Sequence, residues 1–205
     1  MPGLLAGVAL IAISILVGAV PWGFLAGKAS RGIDLRTVGS GGTGATNVLR
    51  TLGAKASIAV AVLDVLKGVL PVVVARSAGF DSAWVAAAAV AAVAGHCWSP
   101  FIGFKGGKGV ATGAGAAVAL FPQVLIAIPV MAVVVWTSKH VSLGSLVSAA
   151  LASLLAVVFA TAGQLDWPAA IAILAIAAII IFRHEGNIRR LWSGTERRIG
   201  ETAAL

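Results

Sequence analysis

Long apolar segments alternate along the chain with short polar segments that are rich in glycine and basic residues. Within each apolar segment, hydrophobic side chains cover every face instead of alternating with polar ones, which favours helices over strands. A helix of about 20 apolar residues crosses the hydrocarbon core of a bilayer. The pattern therefore predicts an all-α, polytopic integral membrane protein with seven transmembrane helices. These helices occupy residues 4–26, 56–75, 82–98, 110–121, 124–136, 143–162 and 169–182.

The fourth and fifth segments are the shortest, and five spans is the alternative if these two are re-entrant. Seven spans place nearly all loop lysines and arginines on one side of the membrane and leave Arg76 on the other. Basic residues concentrate in cytoplasmic loops. The charge distribution therefore agrees with seven spans, and it predicts an N-terminus outside the cell and a cytoplasmic C-terminus. The first apolar stretch has no basic region before it, so we expect a first span rather than a cleaved signal.

The composition agrees with a membrane protein and limits its partners. Hydrophobic residues make up 60% of the chain and charged residues only 11%, against about a quarter charged in soluble domains. The net charge of +8 is expected to meet anionic lipid or substrate rather than nucleic acid. The one cysteine, Cys97, excludes an intramolecular disulfide and a cysteine-cluster metal site. Because long soluble insertions are missing from the sequence, residues 1–205 are predicted to form a single membrane domain.

The first polar segment with functional groups covers residues 38–50 and has the sequence VGSGGTGATNVLR. Its four glycines allow backbone amides to approach an anion closely. A helix beginning near residues 43–46 would direct its positive end to the same place. The alternative is a flexible glycine-rich linker. Donors suited to phosphate oxygens are present on Ser40, Thr46, Asn47 and Arg50.

The second polar segment, residues 95–113, contains the run FKGGKG, in which Lys105 and Lys108 directly precede an apolar helix. Ammonium groups at a helix N-terminus oppose the helix dipole unless an anion binds there. The pattern therefore indicates an anion site. The alternative is a pair of lysines that snorkel to the membrane interface.

The third polar segment, residues 182–196, places His184 and Asn187 on one helical face at the end of the last span. A lone interfacial histidine suits hydrogen bonding or proton transfer better than metal binding. Inside the second span, Asp64 and Lys67 are predicted to neutralise each other and to face the helix bundle, and the alternative is a direct role in catalysis. Lipid headgroups are the expected contacts of Arg189, Arg190, Arg197 and Arg198.

Together the three segments resemble the motifs of the bacterial acyl-phosphate:glycerol-3-phosphate acyltransferase (PlsY) family. The matching runs are GSGGTGATNVLR at 39–50, GHCWSPFIGFKGGKGVAT at 95–112 and RHEGNIRRLWSGTE at 183–196. Their order and spacing extend the resemblance over nearly the whole chain. One position departs from the pattern, since Gly42 stands where the family has asparagine. The departure affects a side-chain contact at position 42 but leaves the backbone contacts of the loop intact.

The resemblance implies a seven-helix enzyme of the bacterial cytoplasmic (inner) membrane, with its active site at the cytoplasmic face. It would transfer a fatty acyl group from acyl-phosphate to the 1-hydroxyl of glycerol-3-phosphate, giving lysophosphatidic acid and inorganic phosphate in phospholipid biosynthesis. The family uses neither acyl-CoA nor acyl carrier protein as donor and needs no metal or other cofactor. The implied partners are therefore the two substrates and membrane lipid.

The resemblance also assigns site residues by motif match. The implied reaction core consists of Ser40, Arg50, Lys108, His184 and Asn187. The implied substrate-binding residues are Gly41, Gly44, Thr46, Asn47, Lys105, Gly106, Gly107, Thr112 and Ser142. No acidic residue stands out as a general base, so we expect the donor's own phosphate oxygen to take the hydroxyl proton. The alternative base is His184.

Two other functions are compatible with basic, glycine-rich loops in a membrane protein. A transporter of phosphorylated metabolites would need polar groups at the bilayer midplane in both halves of the chain, and only Asp64 and Lys67 stand there. A non-catalytic lipid-binding scaffold would need basic residues but not the Gly-Lys-Gly-Gly pattern. The acyltransferase is therefore the favoured prediction.

Overall fold

The computed structural model describes residues 2–201, and in that range it contains α-helices and short 3₁₀ helices but no strand. The α-helices are α1 (Leu4–Ala19), α2 (Trp22–Arg31), α3 (Ala45–Leu52), α4 (Ala54–Ser77), α5 (Ser82–Cys97), α6 (Val110–Leu120), α7 (Ala127–Ser138), α8 (Val141–Thr161), α9 (Trp167–Arg183) and α10 (Glu185–Trp192). The 3₁₀ helices are Leu35–Thr37, Pro100–Ile102 and Pro122–Ile126. The all-α prediction is confirmed.

Several of these helices have the length and apolar character of membrane spans. Four stretches qualify directly: Leu4–Arg31, Ala54–Ser77, Ser82–Ile102 and Val141–Thr161. A fifth qualifies if α9 and α10, which are bent by 60° relative to each other, form one span. The helices α6 and α7 are apolar but shorter. The boundaries of the predicted spans agree with these helices to within a few residues, and the number of spans stays a prediction.

The first span contains a break that the apolar pattern did not predict. α1 ends at Ala19 and α2 begins at Trp22, because Pro21 has no N–H with which to continue the helical hydrogen bonds. At this break the carbonyl of Val20 turns toward α4, where Lys67 Nζ donates to it at 2.7 Å. The break therefore gives a buried lysine one of its polar partners.

Small residues let the helices around α5 approach closely. Gly18 of α1 lies against the backbone of Ala92, and Gly68 of α4 lies against the backbone of Thr112, with no room for a Cβ at either glycine. Close contacts through small residues are typical of helix bundles in membranes. α5 packs against α1, α4, α6 and α9. The polar segment that follows α5 is therefore held on a rigid support.

A charged group lies inside the bundle between α4 and α5. Lys67 Nζ and Asp64 Oδ1 are 2.9 Å apart, and neither side chain is more than 5% exposed. The Nδ1 atom of His96 lies 3.7 Å from the same carboxylate oxygen. The predicted pair of Asp64 and Lys67 is confirmed, and His96 of α5 joins it.

Candidate active site

One amide side chain organises the loop of the first polar segment. Asn47 Nδ2 donates to the carbonyls of Leu35, Val38 and Gly42, and Asn47 Oδ1 accepts from the Ser40 N–H at 3.0 Å. Asn47 is only 2% exposed. Its amide therefore holds the loop together from inside. Position 42 takes part through its carbonyl, which every residue type supplies, so the departure at Gly42 does not alter this contact.

The surface of this loop carries the other predicted ligands of the first segment. α3 begins at Ala45, which confirms a helix start near residues 43–46. Gly41 has a φ of 70°, a conformation that favours glycine. Of the remaining predicted residues in this loop, the exposed one is Ser40 and the half-buried ones are Gly44 and Thr46.

The loop that carries Lys108 is attached to the end of α5. The N–H groups of Gly106 and Gly107 donate to the carbonyls of Cys97 and His96 respectively, each at 3.2 Å. A Cβ on Gly106 would overlap the His96 carbonyl, and one on Gly107 would overlap the His96 ring. Both positions therefore require glycine, and the close backbone contact fixes where Lys108 begins.

The second and third polar segments meet around the carboxylate of Glu196. Lys108 Nζ lies 2.6 Å from Asn187 Oδ1, and Asn187 Nδ2 donates to Glu196 Oε1 at 2.5 Å. Ser142 Oγ donates to the same carboxylate oxygen at 2.8 Å, and Arg190 Nε donates to the other at 2.8 Å. We call these five residues the Glu196 cluster. It brings together three of the residues predicted from the motifs: Lys108, Ser142 and Asn187.

Lys108 is a half-buried cation of the cluster. Burial lowers the pKa of Lys108 to about 8; Glu196 opposes this shift, and the neighbouring arginines, Arg190 first, add to it. The lysine is therefore charged at neutral pH, but burial and, to a smaller extent, repulsion from like charges weaken its hold on the proton. An anion bound here would relieve that repulsion.

His184 lies at the junction of α9 and α10 and is 2% exposed. Its Nδ1 atom is 2.7 Å from the carbonyl of Ile180. Because a carbonyl only accepts, Nδ1 carries the ring proton and Nε2 is left as an acceptor. Burial lowers the pKa of His184 to about 4, and the charge of Lys108 contributes. The imidazole is therefore neutral at pH 7.

The tail after α10 links Arg50 to the rest of the site. Arg50 Nη2 donates to the Arg198 carbonyl at 3.4 Å, and the Ile199 N–H donates to the Lys139 carbonyl at 2.7 Å. Burial lowers the pKa of Arg50, and repulsion from Arg197 contributes. The tail thus connects α3 with the turn between α7 and α8.

Some predicted residues lie apart from the cluster, and some residues at the site were not predicted. Lys105 is exposed. Thr112 is fully buried, and its hydroxyl has no hydrogen-bond partner within residues 2–201. Glu196 was given no role, although it closes the third motif. Arg190, expected to face lipid headgroups, is instead paired with Glu196.

Metal ligands do not gather in this part of the molecule. Over the described residues, no group of three or more His, Cys, Asp or Glu side chains has an arrangement that could hold a metal ion. Lys108 donates to the amide oxygen of Asn187, and the Glu196 carboxylate accepts from Ser142, Asn187 and Arg190.

An apolar cavity lies between α6, α7, α8 and α9. It begins beside Val110, just after Lys108, and beside Ile180, whose carbonyl contacts His184. Its lining extends to Met131 of α7 and is almost entirely hydrophobic. The cavity therefore lies next to the segments that carry Lys108 and His184.

A model of the glycerol-3-phosphate acyltransferase family matches residues 8–194. The chain belongs to this family. It is similar to glycerol-3-phosphate acyltransferase 1 of Deinococcus radiodurans, with 45% identity over 190 residues that make up 92% of this chain and 93% of that protein. The glycerol-3-phosphate acyltransferase of Geobacter sulfurreducens is 46% identical over 190 residues, or 92% and 95% of the two chains.

The family resemblance extends to solved structures of PlsY (YgiH), an integral membrane glycerol 3-phosphate acyltransferase. Its glycerol 3-phosphate form matches with a TM-score of 0.87 and 39% identity over 95% of this chain and 96% of that chain. Its lysophosphatidic acid form matches with a TM-score of 0.84 and 38% identity over the same shares. The predicted family and the all-helical integral membrane fold are confirmed, and the roles of the site residues stay predictions.

Proposed function

We propose that this protein transfers a fatty acyl group from acyl-phosphate to the 1-hydroxyl of glycerol-3-phosphate in phospholipid biosynthesis. The observation that carries the proposal is that the apolar cavity lies beside the cationic loop. Val110, two residues after Lys108, lines it, and so does Ile180, whose carbonyl contacts His184. The cavity suits an acyl chain, and the cations suit the phosphates of both substrates. The names of the relatives and the glycerol 3-phosphate form of the similar structure support the acceptor.

Acyl-phosphate is already activated, so the reaction needs no protein nucleophile. The 1-hydroxyl oxygen of glycerol-3-phosphate attacks the carbonyl carbon, a C–O ester bond forms, and the C–O bond to phosphate breaks. The hydroxyl proton leaves on the phosphate, so that the products are lysophosphatidic acid and inorganic phosphate. Two phosphate groups approach each other in this step, and preorganised cations stabilise the resulting charge.

Lys108 is the central cation of the proposed site. Asn187 Oδ1 takes one of the three ammonium donors, which leaves the others for phosphate oxygens. Arg50 and the exposed Ser40 are proposed to hold phosphate from the side of the first segment, with the loop amides and Lys105 contributing. Asn47 and Thr112, which are buried, are proposed to act by shaping the site.

Two routes for the hydroxyl proton are open in this geometry. In the first, the donor's phosphate takes it, and the protein contributes position and charge. In the second, His184 Nε2 takes it, which is consistent with the neutral ring and with the Nδ1 contact to Ile180. We favour the first route, because a base with a pKa of about 4 holds a proton weakly.

We also propose that α6 crosses the membrane. It begins beside Lys108, and at its other end the carbonyls of Ala119 and Leu120 accept hydrogen bonds from Arg76. Arg76 lies in the last turn of α4, a helix that itself qualifies as a span. The end of α6 thus meets the end of a spanning helix, which supports placing this end of α6 on the outer side.

α7 is proposed to return to the cytoplasmic side. Lys139 directly follows α7, and its carbonyl accepts from Ile199 in the tail. The tail also carries Glu196, which binds Lys108's partner Asn187. These contacts support seven spans in a single domain of residues 1–205, with the active site on the cytoplasmic face of the bacterial inner membrane.

Cysteine labelling in intact cells tests this topology, with the native Cys97 buried. Seven spans with an outside N-terminus predict that a membrane-impermeant maleimide labels Ser82→Cys and Gln123→Cys directly. Ser193→Cys should react only after permeabilisation. Protection of Gln123→Cys from outside would support five spans, and labelling of Ser193→Cys in intact cells would reverse the orientation.

Purified protein given palmitoyl-phosphate and glycerol-3-phosphate tests the activity. Phosphate and lysophosphatidic acid should appear only when both substrates are present. Palmitoyl-CoA and palmitoyl-acyl carrier protein should fail as donors. Uptake of glycerol-3-phosphate into liposomes without turnover would support a transporter instead, and lipid binding without turnover would support a scaffold.

A further inference from the structure

Arg183, the last residue of α9, contacts the loop that carries Lys108. Its Nε donates to the Gly107 carbonyl at 3.1 Å, and its Nη2 donates to the Gly106 carbonyl at 3.2 Å. The two donors of one planar guanidinium thus engage two consecutive carbonyls. Arg183 also directly precedes His184, so one backbone segment carries both this contact and a predicted site residue.

The guanidinium is held in place by an aromatic ring. Arg183 Cζ lies 5.7 Å from the centre of the Trp98 ring, and the Trp98 and Phe182 rings are 6.3 Å apart. Guanidinium groups stack favourably on tryptophan faces. Across the described chain Arg183 forms no salt bridge. Its polar contacts are therefore those with the loop.

The same two glycines are held from the opposite side by α5. Their N–H groups bind the carbonyls of Cys97 and His96, and the His96 ring fills the space beside Gly107. The glycine pair thus lies between the end of α5 and the end of α9. Lys108 follows it immediately, so both contacts fix the origin of the lysine side chain.

We propose that Arg183 is a positioning residue, whose two hydrogen bonds to the Gly106 and Gly107 carbonyls hold the Lys108 loop in register with the α9–α10 junction. The proposal rests on the proposed function, because it assigns Arg183 a part in that reaction. A displacement of a catalytic group by about 1 Å lowers rates by as much as about 100-fold. The bidentate contact is suited to prevent such a displacement.

Arg183 could affect the reaction through its positive charge as well as through its two hydrogen bonds to the loop, and the two effects must be separated. Arg183 lies close enough to Lys108 for its charge to act on that ammonium. Lysine would keep the charge but is a point donor that cannot reproduce the planar fork. R183K therefore removes the paired hydrogen bonds of the guanidinium but keeps the charge, and R183Q removes both.

R189Q is a matched control, because it removes the same charge from the same region. Arg189 is 78% exposed and pairs with Glu185 in the preceding turn of α10. We expect the KM for glycerol-3-phosphate to rise about fivefold or more, and kcat to fall about tenfold or more, in both R183K and R183Q. R189Q should stay within about twofold of the wild type, as expected for an exposed pair.

Three outcomes would overturn the proposal. Wild-type kinetics in R183K would show that charge alone matters, and wild-type kinetics in R183Q would show that Arg183 has no role. An unchanged KM with a lower yield of folded enzyme would indicate a structural role only. Absence of turnover in the wild type would instead contradict the proposed function. The contact between Arg183 and the loop would then be tested by amide exchange.

Amide hydrogen exchange keeps the proposal testable without turnover. Exchange across residues 103–109 should be faster in R183K and R183Q than in the wild type and unchanged in R189Q. Trp98→Leu, which removes the stacking partner but keeps the arginine, serves if the Arg183 variants fold poorly. It should raise exchange in the same loop, and equal exchange in Trp98→Leu and wild type would contradict the proposal.

Discussion

The ammonium of Lys108 and the side-chain oxygen of Asn187 lie 2.6 Å apart, although 79 positions separate them in the chain. The amide nitrogen of Asn187 faces the other way and donates to Glu196. Because an ammonium only donates and a carboxylate only accepts, these partners fix the orientation of the amide. Asn187 therefore connects the central cation of the site to the carboxylate that partly balances it.

The contact between Lys108 and Asn187 predicts that the losses of kcat in a double-mutant cycle are not additive. Lys108→Met should lower kcat about 100-fold or more, since one charged donor to the developing phosphate is removed. Asn187→Leu should lower kcat about tenfold or more, because the lysine loses its orientation. The double variant should be no worse than Lys108→Met, as measured by phosphate release. Fully additive losses would mean that Asn187 acts independently of Lys108.

His184→Gln separates the two routes for the hydroxyl proton. If the donor phosphate takes the proton, the variant should keep most of its kcat, because glutamine preserves a polar side chain of similar reach. Phosphate release at saturating substrates measures this, with Lys108→Ala as the inactive comparison. A loss of about 100-fold or more in His184→Gln would instead establish the histidine as the base, in the range known for general-base removal.

The activity should decline on the alkaline side as Lys108 loses its charge. Its pKa of about 8 predicts a constant kcat/KM below that pH and a fall of about tenfold per pH unit well above it. Glu196 raises the pKa of Lys108 and Arg190 lowers it. Glu196→Gln should therefore move the decline to lower pH, and Arg190→Gln should move it to higher pH.

A pH profile of the three proteins checks these directions. Loss of Glu196 also frees Ser142 and Asn187, so the position of the decline, rather than the absolute rate, is the quantity to compare. A decline that stays at one pH in all three proteins would mean that Lys108 is not the group that titrates.

The sequence predicted the helices well because bilayer-spanning segments need continuous apolar runs. The motifs also singled out Lys108 and Asn187, which the structure brings into contact. The sequence missed the break at Pro21, because the apolar character continues through it. The role of Glu196 depends on how the tail folds back after α10, and no local pattern of residues encodes that path.

His96 and Arg183 illustrate a second limit of sequence analysis. Both hold the Lys108 loop through backbone atoms of glycines, so the partner positions carry no complementary side chain that a pattern could reveal. Asn47 was predicted to contact substrate, yet its donors are engaged with carbonyls of its own loop. Motif membership therefore singled out residues that meet in the fold, while the task of each stays a prediction.

The cavity predicts a substitution that changes the preferred acyl donor. Ala114 of α6 lines the cavity, and phenylalanine there would occupy part of the space proposed for the chain. Ala114→Phe should lower kcat/KM for palmitoyl-phosphate about tenfold relative to octanoyl-phosphate. Leu154→Phe is the control, because Leu154 of α8 is 60% exposed and lies outside the lining. An equal loss with both donors would place the long chain elsewhere.

The buried pair of Asp64 and Lys67 predicts that single substitutions destabilise the protein more than the double substitution does. Asp64→Asn should destabilise the protein by about 3–5 kcal/mol, because it leaves the Lys67 ammonium buried without a counter-charge. Lys67→Met should also destabilise it, since the carboxylate then keeps only His96 nearby. The double variant Asp64→Asn/Lys67→Met removes both charges and should be more stable than either single variant. Thermal unfolding in detergent measures all three, and a double variant that is the least stable of the set would contradict mutual neutralisation as the role of the pair.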